Sequence, residues 1–322
     1  MSNTVVASSP PSSLRESRPR PAAWLVLAAF GAVYVIWGST YLGIHIAIES
    51  IPPLLMAGSR FLLAGLVLYP VMRLRGAKRP RRVHWRNATI VGALLLLAGN
   101  GGVSWAEQSV PSNIAALIIA ATPLWIILID WLRPGGNRPH AVVFGGLALG
   151  FVGVALIVAS KNQFGETFVD PIGAAVLMIA SFCWAIGSVF SRHAEQSETA
   201  LLNVAMQMIC GGILLLVSGM GAGEIGHCDW GKITARSLYA FGYLTLFGSL
   251  IGFTAYVWLL QVSSPARVST YAYVNPFIAL ILGRVFLNEA LPKSALLAGF
   301  CILAAVMLIS FRKHAPKVAA PE

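Results

Sequence analysis

The 322-residue chain is 57% hydrophobic and only 11% charged, with a mean hydropathy of +0.74, whereas soluble domains carry about 25% charged residues. A formal charge of +11 would suit a nucleic-acid binder if the chain were soluble. Lys and Arg instead fall in the gaps between long apolar runs, so the charge reads as a membrane-topology signal, nucleic acid is excluded as a partner, and the chain is placed in the membrane class.

Residues 1–22 are rich in Ser, Pro and Arg and are expected to be disordered and cytoplasmic. The first apolar run is longer than the core of a cleaved signal peptide and leads directly into more membrane, so it is expected to be retained. It spans 23–46, and Tyr34, Trp37, Tyr41, His45 and Glu49 recur along it at three- or four-residue spacing on one helical face. The second span, 53–72, carries Arg60 about two turns in. That depth matches His45 on the preceding antiparallel helix, with Glu49 a turn further out. Arg60 is expected to pair with one of these or with Glu107, as a structural clamp or as a substrate contact.

The third span, 87–106, places Asn100, Ser104 and Gln108 at i, i+4 and i+8, with Trp105 and Glu107 beside them. The fourth, 113–132, contains Pro123, which frees the carbonyl of Ile119. The fifth, 141–159, has Gly146 and Gly150 at a spacing that permits close helix approach. The sixth, 171–190, offers Ser181, Trp184 and Ser188. The seventh spans 200–218, and the eighth, 237–259, repeats the glycine spacing at Gly248 and Gly252. The ninth, 268–286, carries Tyr271, Asn275 and Pro276, and the tenth spans 293–311. Runs of this length suit a hydrocarbon core of about 30 Å.

Polar groups at membrane depth are costly and face a bundle interior or a water-filled path. The substrate pathway is therefore expected at Trp37, Tyr41, His45, Asn100, Ser104, Trp105, Gln108, Trp184, Ser188, Tyr271 and Asn275. The same hydroxyls and amides also suit plain interhelical hydrogen bonds, and the aromatics suit interface anchoring. Glu49, Arg60 and Glu107 are the candidates for proton coupling or an internal ion pair. Pro123 and Pro276 are candidate hinges or simple kinks. Asp130 and Arg284 sit near helix ends, where they can snorkel.

No metal site, disulfide or cofactor is expected. Cys183, Cys210 and Cys301 lie within apolar runs, Cys228 lies in a loop, and no CxxC spacing occurs. The chain lacks GxxxxGK[ST], HExxH and GxSxG; the stretch Gly102-Val103-Ser104-Trp105-Ala106 lacks the final glycine. ATP hydrolysis and other catalysis by this chain are therefore not expected, and transport would draw on a proton or solute gradient.

Orientation follows from basic residues near the membrane. With the N-terminus inside, 17 Lys and Arg lie in inside segments, seven of them in 73–86. Four lie outside: Lys161, Lys232, Arg236 and Lys293. Both termini are expected in the cytoplasm, which requires an even number of spans.

The chain also repeats itself. Trp105, Gln108 and Pro123 reappear 153 residues later as Trp258, Gln261 and Pro276, while Trp37 reappears as Trp184, displaced by 147. Each half then holds five helices. An odd number per half inverts the second half in the membrane, an arrangement found in secondary transporters with the solute site near the midplane between repeats. The expected fold is all-α and membrane-integral, with ten transmembrane helices as two inverted five-helix repeats.

Several motifs carry a family resemblance. Trp37-Gly38-Ser39-Thr40-Tyr41, Ile51-Pro52-Pro53 and Arg60-Phe61 resemble the opening of the EamA repeat of the drug/metabolite transporter superfamily, and Ala121-Thr122-Pro123-Leu124 resembles its fourth helix. Ser264-Pro265-Ala266, Tyr273-Val274-Asn275-Pro276 and Leu287-Asn288-Glu289 resemble its closing part. The similarity spans about residues 24–311 and is strongest to YedA-like exporters. One departure is visible: the acid at Glu289 has no counterpart in half one, where Arg133-Pro134-Gly135-Gly136 stands.

The resemblance implies a first EamA repeat over 23–160, a second over 161–312 and a cytoplasmic tail at 313–322. It implies a monomeric or homodimeric inner-membrane carrier of small organic metabolites, amino acids or drugs, working by alternating access and mostly outward. An importer or exchanger of the same fold, or a membrane-embedded sensor or enzyme, are the other readings.

Overall fold

The computed structural model describes residues 21–133, 141–159, 169–263, 265–268, 270–289 and 293–310. The N-terminal segment expected to be disordered, Gly135 and Gly136, Lys161 and the C-terminal tail lie outside these residues. Among the described residues every regular element is helical. In chain order they are α1 (Ala23–Ile48), α2 (Pro53–Leu74), α3 (Arg82–Ala106), α4 (Ser112–Leu132), α5 (Ala141–Ala159), α6 (Pro171–His193), α7 (Ala200–Gly221), α8 (Ala235–Val262), α9 (Tyr271–Leu287) and α10 (Lys293–Ser310), with short helical turns between some of them. Seven of them, α1 to α4 and α6 to α8, are long and apolar enough to cross a membrane.

The two halves interdigitate. The most extensive contacts, α2 with α7 and α5 with α10, join helices that hold the same place in each half. In the same way α1 packs on α8 and α9, while α6 packs on α3 and α4. Lipid offers helices no hydrophobic reason to associate, so close van der Waals contact through small residues has to supply the attraction. Gly65 on α2 and Gly212 on α7 stand 147 residues apart, the displacement of the two tryptophans. A Cβ on Gly65 would lie 3.0 Å from the Ala205 carbonyl, and one on Gly212 would lie 3.0 Å from the Gly58 carbonyl and 2.7 Å from the Leu62 nitrogen. Ala205 and Gly58 are themselves 147 apart, so one contact is the repeat image of the other.

Irregularities also repeat. α3 runs as a π-helix over Gly92–Gly101 and α8 does so over Leu244–Phe253, at equivalent places. Such wide turns are uncommon and concentrate at functional sites. In α4 the helix is interrupted at Ala120 and Ala121, just before Pro123. The carbonyl of Ile119 freed by that proline accepts a hydrogen bond from the Thr122 hydroxyl at 2.6 Å. Half two differs: Pro276 sits inside the continuous α9, and a short helix, Pro265–Val268, precedes it.

One end of the bundle is closed by carboxylates placed on helix N-termini, whose first N–H groups lack intrahelical partners. Glu224 accepts from the backbone N–H groups of Leu54 and Leu55 at 3.1 and 2.8 Å, capping α2. Glu289 accepts from Ser112 and Asn113 at 2.8 and 3.1 Å, capping α4. The unmatched acid of half two thus serves half one. Asp170 caps α6 through the N–H groups of Gly173 and Ile172 at 3.0 and 3.1 Å and also accepts from the Ser109 hydroxyl. These donors hold the Asp170 carboxyl below the ordinary carboxylate range. Its support for the fold is present above that range and fades as pH falls through the lowered value of the folded state. At the other end, exposed pairs of Lys78 with Glu198 and of Arg81 with Glu195 link the α2–α3 and α6–α7 connections. Pairs this exposed contribute little.

The α2–α7 contact is a strict test of the packing. Gly212→Ala is expected to destabilise the protein by about 1–3 kcal/mol, the usual cost of overpacking a closed contact. Gly31→Ala, where a Cβ meets nothing within 4 Å, is the control and should be neutral. Thermal unfolding in detergent reads both.

Candidate functional site

A cavity enclosing about 680 Å³ of empty space, counting its open part, lies between the halves. Side chains from α1, α2, α3, α4, α6, α8 and α9 line it. Among the residues expected on a pathway, Trp37, Tyr41, Asn100, Trp184, Tyr271 and Asn275 reach the cavity, as does Arg60.

Three rings of its aromatic wall, Trp37, Trp184 and Tyr271, face the cavity, and Tyr256 packs among them from behind. Trp37 lies 5.6 Å from Trp184, 4.8 Å from Tyr256 and 5.3 Å from Tyr271 between ring centroids. Trp184–Tyr256 and Tyr256–Tyr271 close the set at 5.9 and 5.8 Å. Several of these pairs are edge-to-face, the geometry the ring quadrupoles favour. Ser188 holds the cluster from behind, bonding the Tyr256 hydroxyl at 3.0 Å and donating to the Trp184 carbonyl at 2.8 Å. It is a support for the wall rather than a lining residue.

Two glycines set where the tryptophans lie. A Cβ on Gly252 would be 2.6 Å from Trp37 Nε1, and one on Gly99 would be 2.8 Å from the Trp184 ring. Gly99 and Gly252 are 153 residues apart. Each half thus rests its tryptophan on a glycine of the other. Trp37 Nε1 also points to the Gly248 carbonyl at 3.4 Å. The glycine pair at 248 and 252 therefore admits an indole ring and not only a neighbouring helix.

Half one supplies the one charged side chain among the described lining residues. Arg60 is 2% exposed. Its Nη2 donates to Asn100 Oδ1, its guanidinium carbon sits 4.5 Å above the Phe61 ring, and its Nε has no hydrogen-bond partner. The ion pair expected for Arg60 is not formed. Glu49 lies at the surface and pairs instead with Arg236 at 3.5 Å, and Glu107 is not within ion-pair distance of any cation among the described residues. A neutral amide fulfils the clamp because Asn100 sits opposite Arg60 on the π-helical stretch of α3, whereas Glu49 has already reached the surface. Glu107, 1% exposed, keeps both carboxylate oxygens without partners.

Four other expected residues lie off the cavity. Trp105 and Gln108 are exposed at the end of α3, where the Gln108 side chain donates to the Trp105 carbonyl at 3.0 Å. Ser104 is fully buried, and the His45 Nδ1 is buried, neither with a hydrogen-bond partner. Beyond Gly101 the helix is regular and ends at Ala106, so Gln108 falls past its end, and Val103 rather than Ser104 faces the cavity.

The structure also adds Thr122, which the stripes did not suggest; its hydroxyl meets that of Ser181 at 2.9 Å. With its amide nitrogen turned inward, Asn275 donates to the carbonyls of Tyr271 and Tyr34 at 3.1 Å each. Tyr256, Gly99 and Gly252 complete the aromatic wall. The repeat displacement of 153 marks the two glycines in the sequence, but only contact with an indole gives them a role.

A cavity walled by both halves of an apolar helical bundle suits a membrane transporter. The chain belongs to the EamA-like transporter family, which matches residues 20–159 and 171–311, once in each half. It is 39% identical over 294 residues to the inner membrane transporter YedA of Escherichia coli (strain K12), covering 90% of this chain and 92% of that one. It is 26% identical to a protein of Streptantibioticus cattleyicolor named a probable terminal-alkyne amino-acid exporter, over 86% of this chain and 91% of that one. A solved crystal structure superposes with a TM-score of 0.62 at 18% identity, covering 89% of this chain and 96% of its own, and shares the fold.

The tryptophan shelves can be tested directly. Gly252→Ala forces the Trp37 ring into the cavity, a strain of about 1–3 kcal/mol, and solute uptake is expected to fall about tenfold as a result. Gly145→Ala, with open space around it, should leave uptake unchanged in the same assay.

Proposed function

We propose that this protein is a secondary active transporter that exports small organic molecules across the bacterial inner membrane by alternating access. The observation that carries this reading is the central cavity, whose paired tryptophans Trp37 and Trp184 come from equivalent places in two repeats and rest on equivalent glycines. A site on the axis between two repeats is where rocking of one half against the other exposes a solute alternately to either side. Outward direction draws its support from the name of the Streptantibioticus relative, and the inner membrane from that of YedA. Import or exchange by the same cavity is the second reading.

The topology that fits this function is ten spans, α1 to α10, in two inverted sets of five with both termini cytoplasmic. Charge asymmetry and the odd number of helices per half support it. In this frame Glu49, Glu224, Glu289 and Asp170 lie at the outer end, and the Lys78–Glu198 and Arg81–Glu195 pairs at the inner end.

For coupling, Glu107 is the strongest of the acidic candidates. It is buried near the outer end of α3 with both oxygens unpaired, whereas Glu49 is held at the surface by Arg236. A buried carboxyl without partners is stable when protonated and costly when charged, which suits a group that carries a proton through one part of the cycle.

Reconstituted into liposomes, the protein should drive uptake of a transported solute when a pH gradient is imposed. Glu107→Gln is expected to abolish gradient-driven accumulation while leaving solute exchange intact. Equal accumulation by the wild type with and without the gradient would remove the proton. A green fluorescent protein fused after the C-terminus should fluoresce in cells, as a cytoplasmic tail requires.

A further inference from the structure

The two walls of the cavity differ in chemistry although the scaffold around them is symmetric. Arg60 is the one charged side chain among the described residues that line it. Its repeat counterpart, 147 residues on, is the neutral Gln207, and the counterpart of Asn100, 153 residues on, is Phe253. In the other direction, the half-two aromatics Tyr256 and Tyr271 correspond to Val103 and Ile118 in half one. Half one has thus kept a cation with an amide beside it, and half two has two rings, Tyr256 and Tyr271, that half one lacks.

Most other polar groups of the lining are already engaged within the protein. The Thr40 hydroxyl donates to the Trp37 carbonyl at 2.7 Å, and Thr122 is taken up by Ile119 and Ser181. Arg60 is different. Asn100 uses one of its nitrogens and fixes the guanidinium plane over Phe61, while Nε stays without a partner; among the described residues no carboxylate stands within ion-pair distance, and Glu107 acts on it only through space. An arginine this buried needs a counter-charge, and a planar fork of N–H donors matches a carboxylate best.

We infer that the cavity takes organic anions: a carboxylate bound by Arg60, attached to an aromatic or branched apolar body that packs on Trp37, Trp184 and Tyr271. This rests on the reading of the cavity as the solute site and names the class of solute. Asn100 is a positioning residue. It holds the guanidinium at the correct tilt, and its own oxygen is spent on Arg60. The lining offers no carboxylate to an ammonium group, so an anion is favoured over a cation of the same shape.

The test uses the full-length protein in detergent and matched pairs of probes, phenylacetate against phenylacetamide and isovalerate against isovaleramide. Quenching of intrinsic tryptophan fluorescence reads binding, because Trp37 and Trp184 form the wall. Each acid is expected to bind about tenfold to a hundredfold more tightly than its amide, the scale of one charge-assisted hydrogen-bonded contact. Arg60→Gln should erase that preference, leaving acid and amide equal. Arg60→Lys should keep a reduced preference, since the charge remains and the fork is lost, and it decides the matter should Arg60→Gln not fold.

Acid and amide giving the same response in the wild type, or a preference that survives Arg60→Gln, would overturn the assignment. Flux in proteoliposomes separates this from failure of the broader reading. Equal passage of acids and amides leaves a transporter and removes the anion site. Tight, Arg60-dependent binding of the acids with no passage of any probe keeps the anion site and removes transport.

Discussion

In hydrocarbon a helix gains nothing by hiding apolar side chains from water, so helices hold together only where their surfaces come close enough for dispersion and weak polar contacts to accumulate. The pairing of α2 with α7 depends on this. Gly65 and Gly212 each bring one backbone against a carbonyl of the other, at repeat-equivalent positions. A similar approach joins α3 to α7, where a Cβ on Gly92 would lie 2.8 Å from the Gly211 nitrogen. These contacts tie each half to the other more firmly than to itself.

The same small residue does opposite work inside. At the periphery a glycine lets a helix approach. Under Trp37 and Trp184, Gly252 and Gly99 let an indole pack closely against a helix at the edge of the cavity. The π-helical stretches of α3 and α8 hold these glycines, so backbone irregularity and ring placement belong to one local arrangement repeated twice.

A duplicated scaffold need not give a symmetric site. The framework contacts and the paired tryptophans repeat across the two halves, while other lining groups do not: the counterpart of Arg60 is Gln207, and that of Asn100 is Phe253. The caps diverge likewise. Glu289 follows α9 in half two, yet it neutralises the exposed N–H groups of α4 in half one. Framework residues answer to the other half's backbone, which both halves share. Lining residues answer to the solute, which has no such symmetry.

The sequence alone determined the membrane class, the position of each helix and the duplication. Those depend on local composition and on period: about 20 apolar residues suffice for a span, and a displaced Trp, Gln and Pro reveal the repeat without any coordinates. Trp37, Tyr41 and Asn100 were legible as inward-facing because stripes at helical spacing share a face. Tertiary structure decided the rest. Ser104 is buried off the cavity, α3 ends before Gln108, and Trp105 proved to be an exposed helix-end residue. Arg60 took Asn100 rather than an acid, because the choice of partner depends on which side chains the fold brings within reach across helices. The roles of Gly99, Gly252 and Tyr256 exist only as contacts between residues far apart in the chain, and no period or composition records those.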